Sequence, residues 1–501
     1  MTLNLAWLAS AQTRWKLIIA ILLGVAIGLG QTPWGLWPLA LFGLGALFWL
    51  FKQTPHVKQA AWIGWGAGLG YFGLVLSWIV EPFLVDAATF GWMAPFALFG
   101  MAGGLALFWA LSFGLARRLN RSLFFLIAVW CLAEILRSYI LTGFPWGLLG
   151  YMWIDTPFAQ AASLVGPHGL GFATLLAVGC VFAGRIFQMI ALVVVVAAGI
   201  WGDRREAQFD GREAGPVIRL IQPNAEQHLK WDPAWIPVFF QRGLEMTAAP
   251  TQGEAPALVI WPETSVPALL NNADTVLSQI VTAAGTASVI VGAQRRGETG
   301  YHNSLAVLDG GGVTALYDKS HLVPFGEYVP FGAVLDRFGI RGLAAQGGFG
   351  FAPGNGAQLI DTPIGRALPL ICYEGIFPNF GAGAGRADVL LQITNDAWFG
   401  DISGPYQHLT QMRFRAIEQA LPAVRSANTG VSAFINPVGV ITASLPLGEA
   451  GYLDYRLSTA GEATIYTQTG DGPLGLLLIL LCGGLIGLHG RKPIDPMSLA
   501  R

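Results

Sequence analysis

Residues 367–372, ALPLIC, run without a charged side chain into Cys372, and Tyr373 and Glu374 follow at once. A continuously apolar run of this length reads as a strand covered on both faces, with reactive groups presented at its end. Similar runs recur around it: VIRLIQ at 217–222, ALVIW at 257–261, SVIVG at 288–292, SLAVLD at 304–309, VLLQIT at 389–394 and VSAFIN at 431–436. Helix-like stretches lie between several of them, at 273–285 and 405–421. Loops with Pro and Gly, such as PFGEYVPFG and FAPGNG, punctuate the rest. Residues 203–471 therefore read as an α/β domain with a layered core.

Outside that segment the chain is too apolar for water. Only 12% of its 501 residues are charged and 53% are hydrophobic, against about 25% charged in soluble domains; mean hydropathy is +0.53. Runs able to cross a bilayer fall near 15–32, 36–51, 58–80, 92–116, 122–141, 159–183 and 186–202, and an eighth at 472–490. The first resembles a signal peptide but lacks a convincing cleavage site, so it reads as an uncleaved anchor.

The loop charges supply an independent signal. Arg14 and Lys16, Lys52 and Lys58, Arg117, Arg118 and Arg121, Arg185, and Arg491 with Lys492 all fall on one side. The alternate loops hold Glu81, Asp86 and Asp155. Basic loops favour the cytoplasm, so both termini are expected inside and 203–471 outside. In a double-membrane bacterium that is the periplasmic face of the inner membrane. The expected division is 1–202 with seven spans, 203–471 as the outer domain, and 472–501 as an eighth span with a short tail.

Several classes are excluded. A net charge of −1 does not suit a nucleic-acid partner. Four cysteines do not make a disulfide scaffold. The 65 glycines have no three-residue period, so collagen is out. His302, His321 and His408 are scattered without ligand spacing, so neither a metal nor a cofactor is expected.

Cys372 is the lone thiol of the outer segment; Cys131, Cys180 and Cys482 fall in spans. Facing an oxidising compartment, it is either an inert buried thiol or a nucleophile. Between 203 and 490 only Lys230 and Lys319 are lysines, so each needs its own reason. Lys319 is either a surface charge after a strand or a partner in chemistry, and Glu263, at the end of ALVIWPE, is either a solvated loop acid or a base. Together the three make a coherent set. A carboxylate takes the thiol proton, the thiolate adds to a carbonyl, and an ammonium stabilises the oxyanion. At ~4 Å and an effective dielectric of about 20, that last interaction is worth on the order of 4 kcal/mol before desolvation.

WPET with Glu263, DKSHLVPFGEYVP with Lys319 and Glu327, and ICYE with Cys372 resemble the Glu-Lys-Cys signature of the nitrilase (carbon–nitrogen hydrolase) superfamily. Seven spans before such a domain and one after it resemble its membrane-bound apolipoprotein N-acyltransferase family. QPNAEQHLKWDP at 222–233, TGFPWGLLGY at 142–151 and ITNDAWFG at 393–400 agree. The resemblance implies an αββα sandwich, with Glu263 as general base, Lys319 as oxyanion stabiliser and Cys372 as nucleophile. Glu327 would orient the lysine or assist proton transfer, and Tyr373 and Glu374 would support activity, the Tyr373 N–H as a second oxyanion donor. It further implies a phospholipid acyl donor, a diacylglyceryl apolipoprotein acceptor, a thioester intermediate and a monomer embedded in the membrane.

Secondary expectations complete the reading. Trp231, Trp235, Phe239 and Phe240, and the stretch 341–352, are expected to act as lids at the lipid surface. Glu134 and Arg137, three apart in the fifth span, are placed to pair, with Arg137 either serving headgroups or domain docking from the outer end of the span or packing helices, and Trp146 at the interface. Arg413, Arg415 and Glu418 read as structural ion pairs, with Arg425 and Asn428 nearer the site. The rival readings are a membrane-tethered amidase using water as acceptor, and a transporter with an accessory outer domain.

Overall fold

The computed structural model describes residues 13–251, 253–330 and 350–490. The chain divides into two compact units. One takes in residues up to Val80, Met93–Trp201 and those from Thr469 on; the other is Glu81–Trp92 with Gly202–Gln468. The segment 81–92, expected within the first unit, therefore groups with the second. Its two four-residue helices, Glu81–Leu84 and Ala87–Phe90, bury none of their side chains fully, and Glu81 lies against Gly400 of the second unit.

The first unit is helical: α1 (Thr13–Gly28), α2 (Trp37–Lys52), α3 (Val57–Val75), α4 (Ala94–Leu119), α5 (Leu123–Tyr139), α6 (Ala162–Cys180), most of α7 (Arg185–Ala207), and a final helix at Gly472–Gly490. These coincide with the eight apolar runs of the sequence. Three helical stretches, Ala87–Leu119, Pro157–Cys180 and Arg185–Ala207, are long and apolar enough to cross a membrane. A fourth is broken, Val57–Val75 continuing into Ser77–Leu84 after a 63° bend. Small residues set the packing of α1 on α3: a Cβ at Gly24 would sit 2.0 Å from the Ala67 carbonyl oxygen, and one at Gly70 equally close to that of Ile21. Such backbone approach is how helices associate where hydrophobic burial offers no contrast with lipid.

The second unit is a two-sheet sandwich. The first sheet is built from β1 (Glu213–Gln222), β2 (Leu258–Ile260), β3 (Ser288–Arg296), β4 (Tyr301–Asp309) and β5 (Gly312–Asp318). The second has β6 (Ile360–Thr362), β7 (Gly365–Ile371), β8 (Val389–Thr394), β9 (Ala423–Ala427), β10 (Ser432–Ile435) and β11 (Ile441–Leu445). A last strand, β12 (Gly451–Ser458), returns to the first, giving the orders β12-β1-β2-β3-β4-β5 and β11-β10-β9-β8-β7-β6. In each sheet three parallel strands, β1-β2-β3 or β7-β8-β9, form the centre, and antiparallel strands flank them.

The inner faces meet through Ile218, Leu220, Ile260, Ile371, Leu391 and Val424. The outer face of the first sheet is covered by α8 (Ile236–Thr247) and α9 (Asp274–Ala284), through Phe240, Leu244, Leu277 and Ile280. The outer face of the second is covered by α10 (Gly404–Gln419), through Leu409, Met412 and Ala416. With both faces of each sheet covered, the strands have no polar side to show, which is why they read as continuous apolar runs. The four layers are the expected αββα arrangement.

Candidate active site

Glu263 lies three residues beyond β2, on a loop drawn against β3 where Gly292 leaves room. A Cβ at Gly292 would sit 2.6 Å from Glu263 Cα and 2.5 Å from the Thr264 nitrogen. The Ser265 N–H closes the contact on the Gly292 carbonyl at 2.8 Å. Lys319 follows β5 directly, its N–H donating to the Asn303 carbonyl of β4 at 2.8 Å. Cys372 is the first residue past β7, held at φ +50°. A non-glycine residue in this left-handed region carries strain that persists only where its surroundings over-determine it.

The side chains converge. Lys319 Nζ donates to Glu327 Oε1 at 2.8 Å and lies 3.8 Å from Glu263 Oε1. Asn303 Nδ2 donates to Glu263 Oε1 at 2.7 Å and to Glu327 Oε1 at 3.3 Å. The Asn395 N–H, at the end of β8, donates to Glu263 Oε2 at 2.8 Å. The Val323 N–H donates to Glu327 Oε2 at 2.8 Å. Glu263 is thus fixed by a group from each sheet, and Lys319 is held between two carboxylates. Cys372 is 7% exposed.

Electrostatics follow from burial. Burial alone would discharge Lys319, but Glu327 and Glu263 hold its ammonium well above the ordinary lysine range. For Cys372, burial and then Glu263 push the thiol up, and Lys319 only partly offsets them. A neighbouring ammonium by itself lowers a thiol pKa, but here burial outweighs it. Burial thus favours the thiol form, and a nucleophilic role would require its proton to move.

Glu374 is fully buried. It accepts from Tyr317 Oη (2.8 Å), the Ser320 N–H (2.7 Å) and hydroxyl (3.0 Å), the His321 N–H (3.1 Å) and the Ile371 N–H (2.8 Å). It joins the loop carrying Lys319 to the turn carrying Cys372. The Tyr373 ring packs edge-on to Phe377 at 5.1 Å. Asn303 and Asn395 were not singled out from the sequence. The available signal was a polar side chain inside or just after an apolar strand, which has no special meaning until the register is known.

A cleft beside Glu263 is lined by Lys230, Trp231, Ile236, Phe239, Phe240 and Trp261, among others. Trp231 and Trp235 are 45% and 39% exposed, and Trp235 stacks on Phe239 at 5.7 Å. Lys230 Nζ donates to the Glu263 carbonyl at 3.3 Å, and burial lowers its pKa to about 8. Of the expected second lid, 341–349 lies outside the described residues. Arg415 pairs with Glu418 at 2.5 Å, as expected, whereas Arg413 donates to the Gly439 carbonyl.

Two residues expected at the lipid interface are buried within the helical unit. Arg137 is 2% and Trp146 1% exposed. Arg137 does pair with Glu134 at 2.7 Å, but its remaining N–H groups donate to the carbonyls of Phe144, Trp146 and Gly147. With that many acceptors supplied by the chain turning back after α5, the guanidinium has no need to reach headgroups. Trp146 packs on Trp78 at 4.5 Å.

Two family profiles match the chain: the apolipoprotein N-acyltransferase N-terminal domain over residues 23–180, and carbon-nitrogen hydrolase over residues 219–464. The apolipoprotein N-acyltransferase of Caulobacter vibrioides is 36% identical over 97% of this chain and 97% of its own length. That of Rhodopseudomonas palustris is 37% identical over 96% of both. Among solved structures, XC1258 from Xanthomonas campestris, a CN-hydrolase superfamily protein, aligns with 52% of this chain and 97% of its own at 24% identity and a TM-score of 0.36. The order of the two domains, and relatives that match from end to end, show that this chain belongs to the apolipoprotein N-acyltransferase family.

Proposed function

We propose that the chain transfers a fatty acyl group from a membrane phospholipid to the α-amino group of the diacylglyceryl-cysteine that begins an apolipoprotein. The observation that carries this is Lys319 Nζ set 2.8 Å from Glu327 and 3.8 Å from Glu263, at strand ends next to a single strained cysteine.

In the first half-reaction Glu263 takes the Cys372 thiol proton as sulfur adds to the ester carbonyl. Negative charge develops on the carbonyl oxygen, facing the Lys319 ammonium and the Tyr373 N–H. Collapse expels the glyceryl oxygen, which receives the proton from Glu263, and lysophospholipid leaves a thioester on Cys372. In the second half-reaction the neutral amine of the acceptor adds to the thioester, Glu263 accepts its proton, and the sulfur departs and is reprotonated. Each half returns the site to its starting protonation, as ping-pong transfer requires. The apolar cleft beside Glu263, with Trp231 and Trp235 at its mouth, takes part of the lipid in this reading.

Eight crossings with both termini cytoplasmic and the catalytic domain periplasmic, in a bacterial inner membrane, complete the proposal. The one-sided distribution of basic loops supports it. So does α7, whose Ile186, Met189, Leu192 and Val193 are each more than half exposed, a surface suited to lipid rather than water.

The test is intact mass of the detergent-purified protein after incubation with a defined phospholipid, beside Cys372→Ser and Lys319→Ala. A fatty-acyl adduct on the wild type, removed by hydroxylamine and absent from Cys372→Ser, is expected; a diacylglyceryl-cysteinyl peptide then clears it as N-acylated peptide. Release of the acyl group to water alone, with amides hydrolysed, would make the chain a tethered amidase.

A further inference from the structure

Against the Cys372 carbonyl lies a second polar cluster that the mechanism does not use. His408 of α10 is fully buried, as are Gln392 of β8 and Arg425 of β9. Gln392 Nε2 donates to the Cys372 carbonyl at 3.0 Å and lies 3.2 Å from His408 Nε2. His408 Nε2 is itself 3.1 Å from the Cys372 carbonyl. On the other edge of the ring, Nδ1 is 2.9 Å from Asp396 Oδ1. Arg425 donates to Gln392 Oε1 and to Asp396 Oδ2, and the Thr394 hydroxyl donates to Asp396 Oδ1 at 2.9 Å.

The proton positions follow from donor–acceptor complementarity. Arg425 is only a donor, so the atom of Gln392 facing it is the amide oxygen. That leaves Gln392 Nε2 with two hydrogens, one of them for the Cys372 carbonyl, and His408 Nε2 lies within hydrogen-bond distance of both groups. His408 Nδ1 carries the hydrogen and donates to Asp396. Burial alone would raise the Asp396 pKa, but Arg425 and His408 hold it down to about 2, so it remains an acceptor. Arg425 Nη2 also lies 3.4 Å from Nδ1, but its close partner is Asp396. Among the described residues Gln392 and His408 meet on one atom, the Cys372 carbonyl oxygen, and Arg425 is anchored in turn on the Val431 carbonyl at 3.1 Å.

That oxygen belongs to the same planar peptide as the Tyr373 N–H. In a trans peptide the two point in opposite directions from one rigid plate, so gripping one end aims the other. Cys372 is held at φ +50°, a conformation the chain leaves unless it is restrained. We infer that His408 and Gln392, braced by Asp396 and Arg425, are positioning residues that lock the Cys372–Tyr373 peptide, so that the Tyr373 N–H faces the developing oxyanion. The inference rests on the reading of Cys372 as the acylated nucleophile.

The test compares purified full-length wild type, His408→Leu, His408→Asn and Gln392→Glu for the rate of thioester formation with a defined phospholipid, each with a melting curve. An asparagine amide reaches the Nδ1 position and can restore the hydrogen bond to Asp396, though not the group at Nε2; leucine restores neither. Glu at 392 keeps the acceptor for Arg425 but removes both N–H groups. Misaiming a reacting group by about 1 Å costs about 100-fold, so His408→Leu and Gln392→Glu are expected to acylate about 100-fold more slowly at saturating lipid. KM should stay within about threefold and melting should remain cooperative, while His408→Asn should recover to within about tenfold of wild type. Wild-type acylation rates in folded His408→Leu, or in folded Gln392→Glu should the leucine variant not fold, would overturn the inference and leave the nucleophile standing. A wild type that never forms the thioester would overturn both.

Discussion

One carboxylate oxygen of Glu374 accepts the Ser320 N–H at 2.7 Å, and the other accepts the Ile371 N–H at 2.8 Å. Ser320 follows Lys319 in the first half of the sandwich, and Ile371 precedes Cys372 in the second. Glu374 is therefore a clasp between the two halves of the site rather than a participant in proton transfer. Burial raises its pKa, and the N–H of Ile371, Tyr317 and Lys319 work against that rise.

Glu374→Gln tests the clasp. A glutamine keeps the shape but turns an NH₂ group toward one of the two backbone N–H donors, leaving a buried donor unpaired at a cost of roughly 1–3 kcal/mol. The expected result is a lowered melting temperature and a thioester-forming rate reduced by about 100-fold, in keeping with loss of alignment. Unchanged acylation in the folded variant would mean the two halves are aligned by the sheets alone.

How much of this was legible beforehand depends on residue type. Glu263, Lys319 and Cys372 announce themselves because each is rare or reactive and stands at the end of an apolar run. Asn303, Gln392 and Asn395 do not. They sit inside or just past runs read as buried strands, and their meaning comes from register and from sheet-to-sheet packing, which adjacent sequence does not encode. The same limit explains β5, β6, β9, β11 and β12, whose short or less apolar sequences did not stand out. It also explains Arg137: the spacing predicts its pairing with Glu134, but not the returning carbonyls of Phe144, Trp146 and Gly147 that keep it from the surface.

The thiol supplies a pH prediction. Burial and Glu263 raise the Cys372 pKa, while Lys319 lowers it. The folded site thus disfavours thiolate, and alkylation by iodoacetamide should climb with pH through 9 without levelling off. Removing the ammonium takes away the one contribution holding the pKa down. Lys319→Met should alkylate more slowly at every pH, by roughly tenfold for each unit of further rise. An unchanged profile would show that the ammonium does not act on the sulfur.

Gly292→Ala probes the seat of Glu263, the proposed general base. The added Cβ would lie 2.6 Å from Glu263 Cα and from the Pro262 carbonyl oxygen, backbone atoms that cannot swing aside. The loop must lift, stretching the bonds from Asn303 and Asn395 to the carboxylate. Overpacking of this kind costs about 1–3 kcal/mol, and kcat should fall more than the melting temperature alone accounts for. Full activity would mean that Glu263 tolerates displacement and that proton transfer is not limited by its placement.

The helical unit offers a test independent of the chemistry. Glu134 accepts from Arg137 and from Trp109 Nε1 at 2.8 Å, so the acid and the guanidinium satisfy one another deep among apolar neighbours. Arg137→Ala strands a carboxylate and three backbone carbonyls. Breaking a buried pair from one side costs about 3–5 kcal/mol, whereas replacing both partners with apolar residues can be nearly neutral. The expectation is strong thermal destabilisation in detergent for Arg137→Ala and for Glu134→Ala. The double variant Glu134→Leu/Arg137→Met should recover part of it, the three carbonyls still lacking their donor. Were the pair instead a lipid-binding element, Arg137→Ala would leave melting unchanged and raise KM for the phospholipid. The burial of both side chains argues for the first outcome, and the double variant separates the two because only a structural pair regains stability when its second charge is removed.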